Sequence, residues 1–155
     1  MDNAALPTIA VGSDHAGPQL KAVLVEALRA AGHTVLDFGT YDGARVDYPD
    51  YAHAVCRAIE DGRAARGVLV CGTGVGMSIA ANRHAGIRCV LAGETTTARL
   101  SREHNDANVL ALGARVTGEA AALDILRVFL ATDYEGGRHT ARLAKLAPDA
   151  PVPVA

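Results

Sequence analysis

The sequence predicts an α/β protein in which a parallel β-sheet is covered by helices on both faces. Three observations carry this. Apolar runs of strand length alternate with segments of helical periodicity along most of the chain. The strand candidates are apolar throughout rather than at every second residue, and glycine or proline marks most junctions between elements. A continuously apolar strand is buried on both sides, which is its environment in a parallel sheet between helical layers.

Residues 8–12 (TIAVG) are the first strand candidate. After them Leu20, Val23, Leu24, Ala27, Leu28 and Ala31 recur at the spacing of one helical face, with Pro18 in the first turn and Gly32 at the stop. Residues 34–39 (TVLDFG) form a second strand, and Pro49 opens a helix with Ala52, Val55, Cys56 and Ile59 inward, closing near Gly62. Residues 67–71 (GVLVC) form a third strand, followed directly by a glycine-rich turn and a helix through about Arg83. Strands four and five lie in 86–93 (GIRCVLAG) and 107–113 (ANVLALG), separated by a helix over 96–104, with closing helices at 119–131 and 138–146. The segment AAALDILRVFLA is apolar on most sides, so it seals an interface or is buried within its own chain.

At 155 residues the chain supports one domain, over 1–147, with a Pro/Ala-rich tail at 148–155 expected to be flexible. A net charge of −2 gives no footprint for nucleic acid or an anionic membrane, so any anion must be caught by locally placed groups. No stretch approaches the length of a membrane span, and the first ten residues lack a basic, then apolar, leader pattern. Cys56, Cys71 and Cys89 are odd in number and form no C-x-x-C pair, which points to a reducing, cytoplasmic setting.

In open parallel sheets ligands sit beyond the carboxyl ends of the strands. Three segments with reactive side chains are assigned there: GSDHAG (12–17), CGTGVG (71–76) and EHND (103–106). Glycines at 72, 74 and 76 fall one residue short of the dinucleotide spacing G-x-G-x-x-G, although Glu94 lies near the distance of its acidic partner. Such a loop offers backbone N–H groups to an anion or a developing oxyanion, or it serves packing alone. Cys71 at its mouth is placed as a base or nucleophile, or as a small buried residue. Asp14 caps a turn or faces a ligand, and His104 is a solvated helix end or a proton carrier. Arg138 and Arg142, four residues apart after Gly136 and Gly137, share a helical face suited to a phosphate or carboxylate, and Arg115 is a third candidate.

Taken together, GSDHAG, the Tyr-Pro-Asp of DYPDYA, GVLVCGTGVGMSIAANR, REHNDANVLALGARV and GGRHTARLAKL resemble the type B ribose-5-phosphate isomerases and their galactose- and allose-phosphate relatives. The resemblance runs over about residues 8–147. It implies a three-layer α/β/α sandwich around a Rossmann-like five-stranded parallel sheet. It implies a homodimer, or a dimer of dimers, with sites between subunits, and aldose–ketose conversion of a sugar phosphate through a cis-enediolate without metal or organic cofactor. Carried to matching positions, Cys71 is the base, and Gly72, Thr73, Gly74, Val75 and Gly76 form the anion hole. His104 opens the sugar ring, and Asp14, Tyr48 and Asn105 contact the sugar. His15, Arg115, Arg138 and Arg142 hold the phosphate, with His104, Asn105 and Arg115 coming from the partner. Some members have serine at the cysteine position and a glutamate base four residues on; here that residue is Val75, which fits the thiolate form. Residues 91–100 (LAGETTTARL) depart from the ribose-type pattern, leaving the sugar as a pentose 5-phosphate, a hexose 6-phosphate or a tetrose 4-phosphate.

Overall fold

A computed structural model of the protein describes residues 6–151 and Pro153. Residues 152, 154 and 155 of the expected tail, and residues 1–5 of the N-terminal stretch, lie outside the described residues. The strands are β1 (Ile9–Ser13), β2 (Val35–Phe38), β3 (Arg66–Cys71), β4 (Cys89–Leu91) and β5 (Val109–Gly113). The helices are α1 (Pro18–Ala30), α2 (Tyr48–Glu60), α3 (Val75–Ala81), α4 (Thr95–Asn105), α5 (Glu119–Ala131) and α6 (Arg138–Ala144). The five strands form one parallel sheet in the order β2-β1-β3-β5-β4.

The all-apolar strands are the buried ones. Every residue of β1 and β5 is buried, and so are five of the six in β3. Each face of the sheet has its own core. Val11, Val68, Val70, Leu110 and Leu112 meet Leu24 and Leu28 of α1, Ala98 of α4, and Ile125 and Phe129 of α5. Ala10, Leu69, Val109 and Ala111 meet Val55 and Cys56 of α2 and Met77 and Ala81 of α3. Leu123, Val128 and Leu130 pack against the first of these cores, so the broad apolar surface of α5 is spent largely within its own chain.

Two expectations need correction. The buried face of α1 runs through Leu20, Lys21, Leu24, Val25 and Leu28, while Ala31 is exposed. The helix is rotated because Lys21 pairs with Asp37 of β2, its Nζ 4.3 Å from the centre of the Tyr41 ring. A lysine stem is apolar enough to line a core when its ammonium has a partner. Strand four is also shorter than its apolar run. It is an edge strand, and the Asn82 side chain occupies its free backbone groups: Nδ2 donates to the Cys89 carbonyl at 3.0 Å, and Oδ1 accepts from the Cys89 N–H at 2.8 Å. The same residue closes α3 ahead of Arg83.

Candidate active site

Strand order reverses direction between β1 and β3, so their carboxyl ends open the crevice where parallel α/β sheets bind ligands. Register aligns Ser13 with Val70 and Cys71 with Gly113. Backbone bonds lace the three loops together: the Asp14 N–H donates to the Val70 carbonyl (3.2 Å), Ala114 to Cys71 (2.8 Å) and Arg115 to Gly72 (2.9 Å). Two of the expected loops, 12–17 and 71–76, therefore meet. They are joined by Arg115 from the loop after β5.

Within this crevice Cys71 is only 5% exposed, and the Gly74 N–H donates to its Sγ at 3.1 Å. Gly74 has φ +80°, and a Cβ there would lie 2.5 Å from Leu91 Cδ1, so the turn requires glycine. The Thr73 hydroxyl accepts the Val75 N–H at 3.3 Å. A Cβ on Gly76 would meet the Tyr48 ring at 2.7 Å, which places that ring directly over the start of α3. One on Gly72 would lie 3.4 Å from the Arg115 guanidinium, so Arg115 covers the glycine loop of its own chain. Asp14 is 7% exposed and caps a turn through the Ala16 N–H at 2.9 Å, while His15 Nδ1 accepts from Val46 at 3.4 Å.

The assignment of 103–106 to the same end of the sheet is wrong. That segment closes α4 and leads into β5, so it lies at the amino end of the strands. The five residues of β5 separate it from the crevice by about 15 Å at roughly 3.3 Å per residue. His104 and Asn105 sit there, the Asn105 carbonyl accepting from Arg88 Nε at 2.9 Å. Helix α6 packs on α4, bringing the exposed Arg138 and Arg142 to this second cluster. The candidate residues of one chain thus fall into two separate groups. Asp14, His15, Tyr48, Cys71–Gly76 and Arg115 form the first; His104, Asn105, Arg138 and Arg142 form the second.

His139 and Glu135 were not singled out in the sequence. The His139 ring stacks on that of His104, centroids 4.4 Å apart and planes at 17°. Its Nε2 lies 3.4 Å from Glu135 Oε2, an ion-pair distance without hydrogen-bond alignment. The available signal was the i, i+4 spacing of Glu135 and His139 in EGGRH. Donor atoms of the three side chains fall within 4.8 Å of one another. In nearly parallel stacked rings, however, the in-plane lone pairs run side by side rather than meeting at a metal.

Several titratable side chains outside these two groups have structural roles. Burial, reinforced by Glu60, pushes the Cys56 thiol up to about 12, and burial likewise raises Cys89. Both stay protonated and inert at neutral pH. Glu94 caps α4, accepting from the N–H groups of Thr96 (2.6 Å) and Thr97 (2.7 Å). These bonds, led by that from the Thr97 hydroxyl, hold its carboxyl below the usual range. His53 Nδ1 lies 2.7 Å from His84 Nε2, whose ring is anchored to Glu60 at 3.0 Å. No helix among the described residues is long and apolar enough to cross a membrane.

Comparison with known proteins agrees with this fold. The family model described as Ribose/Galactose Isomerase matches residues 9–146. Ribose-5-phosphate isomerase B of Escherichia coli is 50% identical over 135 residues, covering 87% of this chain and 91% of that protein. D-erythrulose-4-phosphate isomerase of Pectobacterium atrosepticum is 41% identical over 141 residues, covering 90% and 92%. The structure of ribose-5-phosphate isomerase B from Clostridium thermocellum superposes with a TM-score of 0.89 at 47% identity, covering 90% of this chain and 94% of that one. The chain belongs to the ribose/galactose isomerase family and is a sugar-phosphate aldose–ketose isomerase.

Proposed function

We propose that the protein interconverts ribose 5-phosphate and ribulose 5-phosphate, with Cys71 as the base that carries the proton between C2 and C1. The observation that carries this is the Cys71 sulfur held by the Gly74 N–H inside a loop of glycines. A proton beside a carbonyl is poorly acidic, so the reaction needs a placed base and donors for the enediolate oxygen. In the aldose direction the thiolate takes the C2 proton, and the electron pair moves to C1–C2 as the carbonyl becomes an enediolate oxygen facing Gly72–Gly76. Return of the proton to C1, with transfer of the hydroxyl proton from O2 to O1, gives the ketose. Asp14, Tyr48 and Asn105 hold the sugar hydroxyls, while backbone N–H groups of the glycine loop face the enediolate oxygen.

His104 opens the furanose by moving the proton of the anomeric hydroxyl to the ring oxygen. The sheet separates it from Cys71 of its own chain, so the working unit in this reading is a homodimer in which the two halves face each other across subunits. The exposed Tyr48, Val75, Ile79 and Val116 supply apolar surface for that contact. His15, Arg115, Arg138 and Arg142 neutralise the phosphate, through guanidinium forks suited to it. Three free cysteines accord with a cytoplasmic setting.

A second reading keeps the chemistry and shortens the sugar, and the 41% identity to a tetrose-phosphate isomerase favours it. A 4-phosphate blocks the oxygen that would close a furanose, so a tetrose phosphate makes no use of His104. Turnover of ribose 5-phosphate, allose 6-phosphate, galactose 6-phosphate and erythrose 4-phosphate by wild type and Cys71→Ala decides. The expected result is the highest kcat/KM on the pentose, with a loss of about a thousandfold in the variant. Wild-type-like turnover by Cys71→Ala on the preferred sugar removes the thiol from the reaction.

A further inference from the structure

We propose that His139, backed by Glu135, is the positioning residue for His104. The proposal rests on the reading of His104 as the group that opens the sugar ring. His104 is half-buried, and its imidazole lies flat against that of His139 at 4.4 Å. His139 is 5% exposed, so its own ring is clamped by the protein and presents a fixed plane. The segment carrying it is pinned beside the catalytic histidine: the Glu135 N–H donates to the Glu103 carbonyl at 3.0 Å, one residue before His104. Gly136 and Gly137, with φ +66° and +57°, then turn the chain so that α6 starts with Arg138 and His139. Glu135 faces both, its Oε2 at 3.4 Å from His139 Nε2 and 3.7 Å from Arg138 Nη2.

The arrangement has a chemical purpose. Ring opening needs a proton taken from one sugar oxygen and returned to another, and a freely rotating imidazole at a helix end reaches both only part of the time. Stacking confines His104 to one plane, and a proton shuttle gains from such confinement. The otherwise unpaired, buried His139 Nε2 is an energetic liability that a purely apolar residue would avoid. Its proximity to Glu135 accounts for a histidine here. One turn of chain thereby sets both a phosphate-binding arginine and the group behind the ring-opening acid.

The experiment uses two readouts that separate ring opening from proton transfer. Steady-state kcat is measured on ribose 5-phosphate, a furanose. Washout of the C1 proton of ribulose 5-phosphate, an acyclic ketose, is followed by NMR in D2O and requires only Cys71 and the enediolate. For His139→Ala the expected result is a loss of about tenfold or more in kcat on the furanose, with washout within about twofold of wild type. His139→Phe, which keeps a flat ring in the same space, restores most of the furanose turnover and guards against a folding defect. His104→Asn is run alongside and lowers furanose turnover by about a hundredfold. If His104→Asn leaves furanose turnover intact, the ring-opening reading fails, and this proposal with it. If His104→Asn is selective but His139→Ala is silent, or depresses both readouts equally, only the positioning role of His139 is overturned.

Discussion

The Gly74 N–H points at the Cys71 sulfur from 3.1 Å, across the turn that launches α3. That contact exists because Gly74 adopts a left-handed conformation at φ +80°. It joins the end of a buried strand to the donors of the following helix, and the proposed chemistry depends on it.

Gly74→Ala tests the turn. A methyl there would sit 2.5 Å from Leu91 Cδ1 and 3.0 Å from the Leu112 carbonyl carbon, in a conformation that L-residues avoid. The expected cost is about 1–3 kcal/mol of stability, read by urea unfolding, with turnover depressed under conditions where the variant is folded. A variant as stable and active as wild type would remove the requirement for this geometry.

The buried pair Lys21–Asp37 makes a second, independent prediction. Its lysine is almost inaccessible and its aspartate largely covered. Lys21→Met leaves the carboxylate without its cation, at a cost of about 3 kcal/mol. Adding Asp37→Leu should recover most of that loss in chemical denaturation, with activity unchanged throughout. Equal stability of the single and double variants would contradict the pairing.

Cys56 predicts an alkaline limb to stability. Its thiol rises from 9.0 to about 12 on folding, so between those values the folded state keeps a proton that the unfolded chain releases. Stability therefore falls as pH rises through this window, by up to about 1.4 kcal/mol per pH unit for one group. Cys56→Ala should flatten the pH dependence of unfolding free energy above pH 9 relative to wild type. Parallel curves for the two proteins would show that Cys56 does not titrate this way.

Much of this protein was readable from its residues. The apolar character of IAVG, GVLVC and VLALG marked the central strands because burial on both faces favours apolar side chains at successive positions. The CGTGVG turn was legible because glycine spacing encodes backbone shape. Edge strand β4 was overestimated, since an apolar run does not reveal that Asn82 takes its outer hydrogen bonds. Lys21 broke the helical pattern of α1, as a charged residue in a core is recognised only with its partner in view. His104 was set at the wrong end of the sheet because strand direction, not motif content, decides which loops meet. His139 escaped notice for a related reason: its significance is a ring stacked in space on a residue 35 positions away.

The central claim is that Cys71 of one chain works with His104 of another. Cys71→Ala and His104→Asn are prepared separately, each with strongly reduced turnover of ribose 5-phosphate, then co-refolded in equal amounts. In a symmetric dimer half the assemblies are mixed, and each mixed one carries a single intact site, giving about a quarter of wild-type turnover. Activity that stays at the mean of the two parents would contradict the shared site.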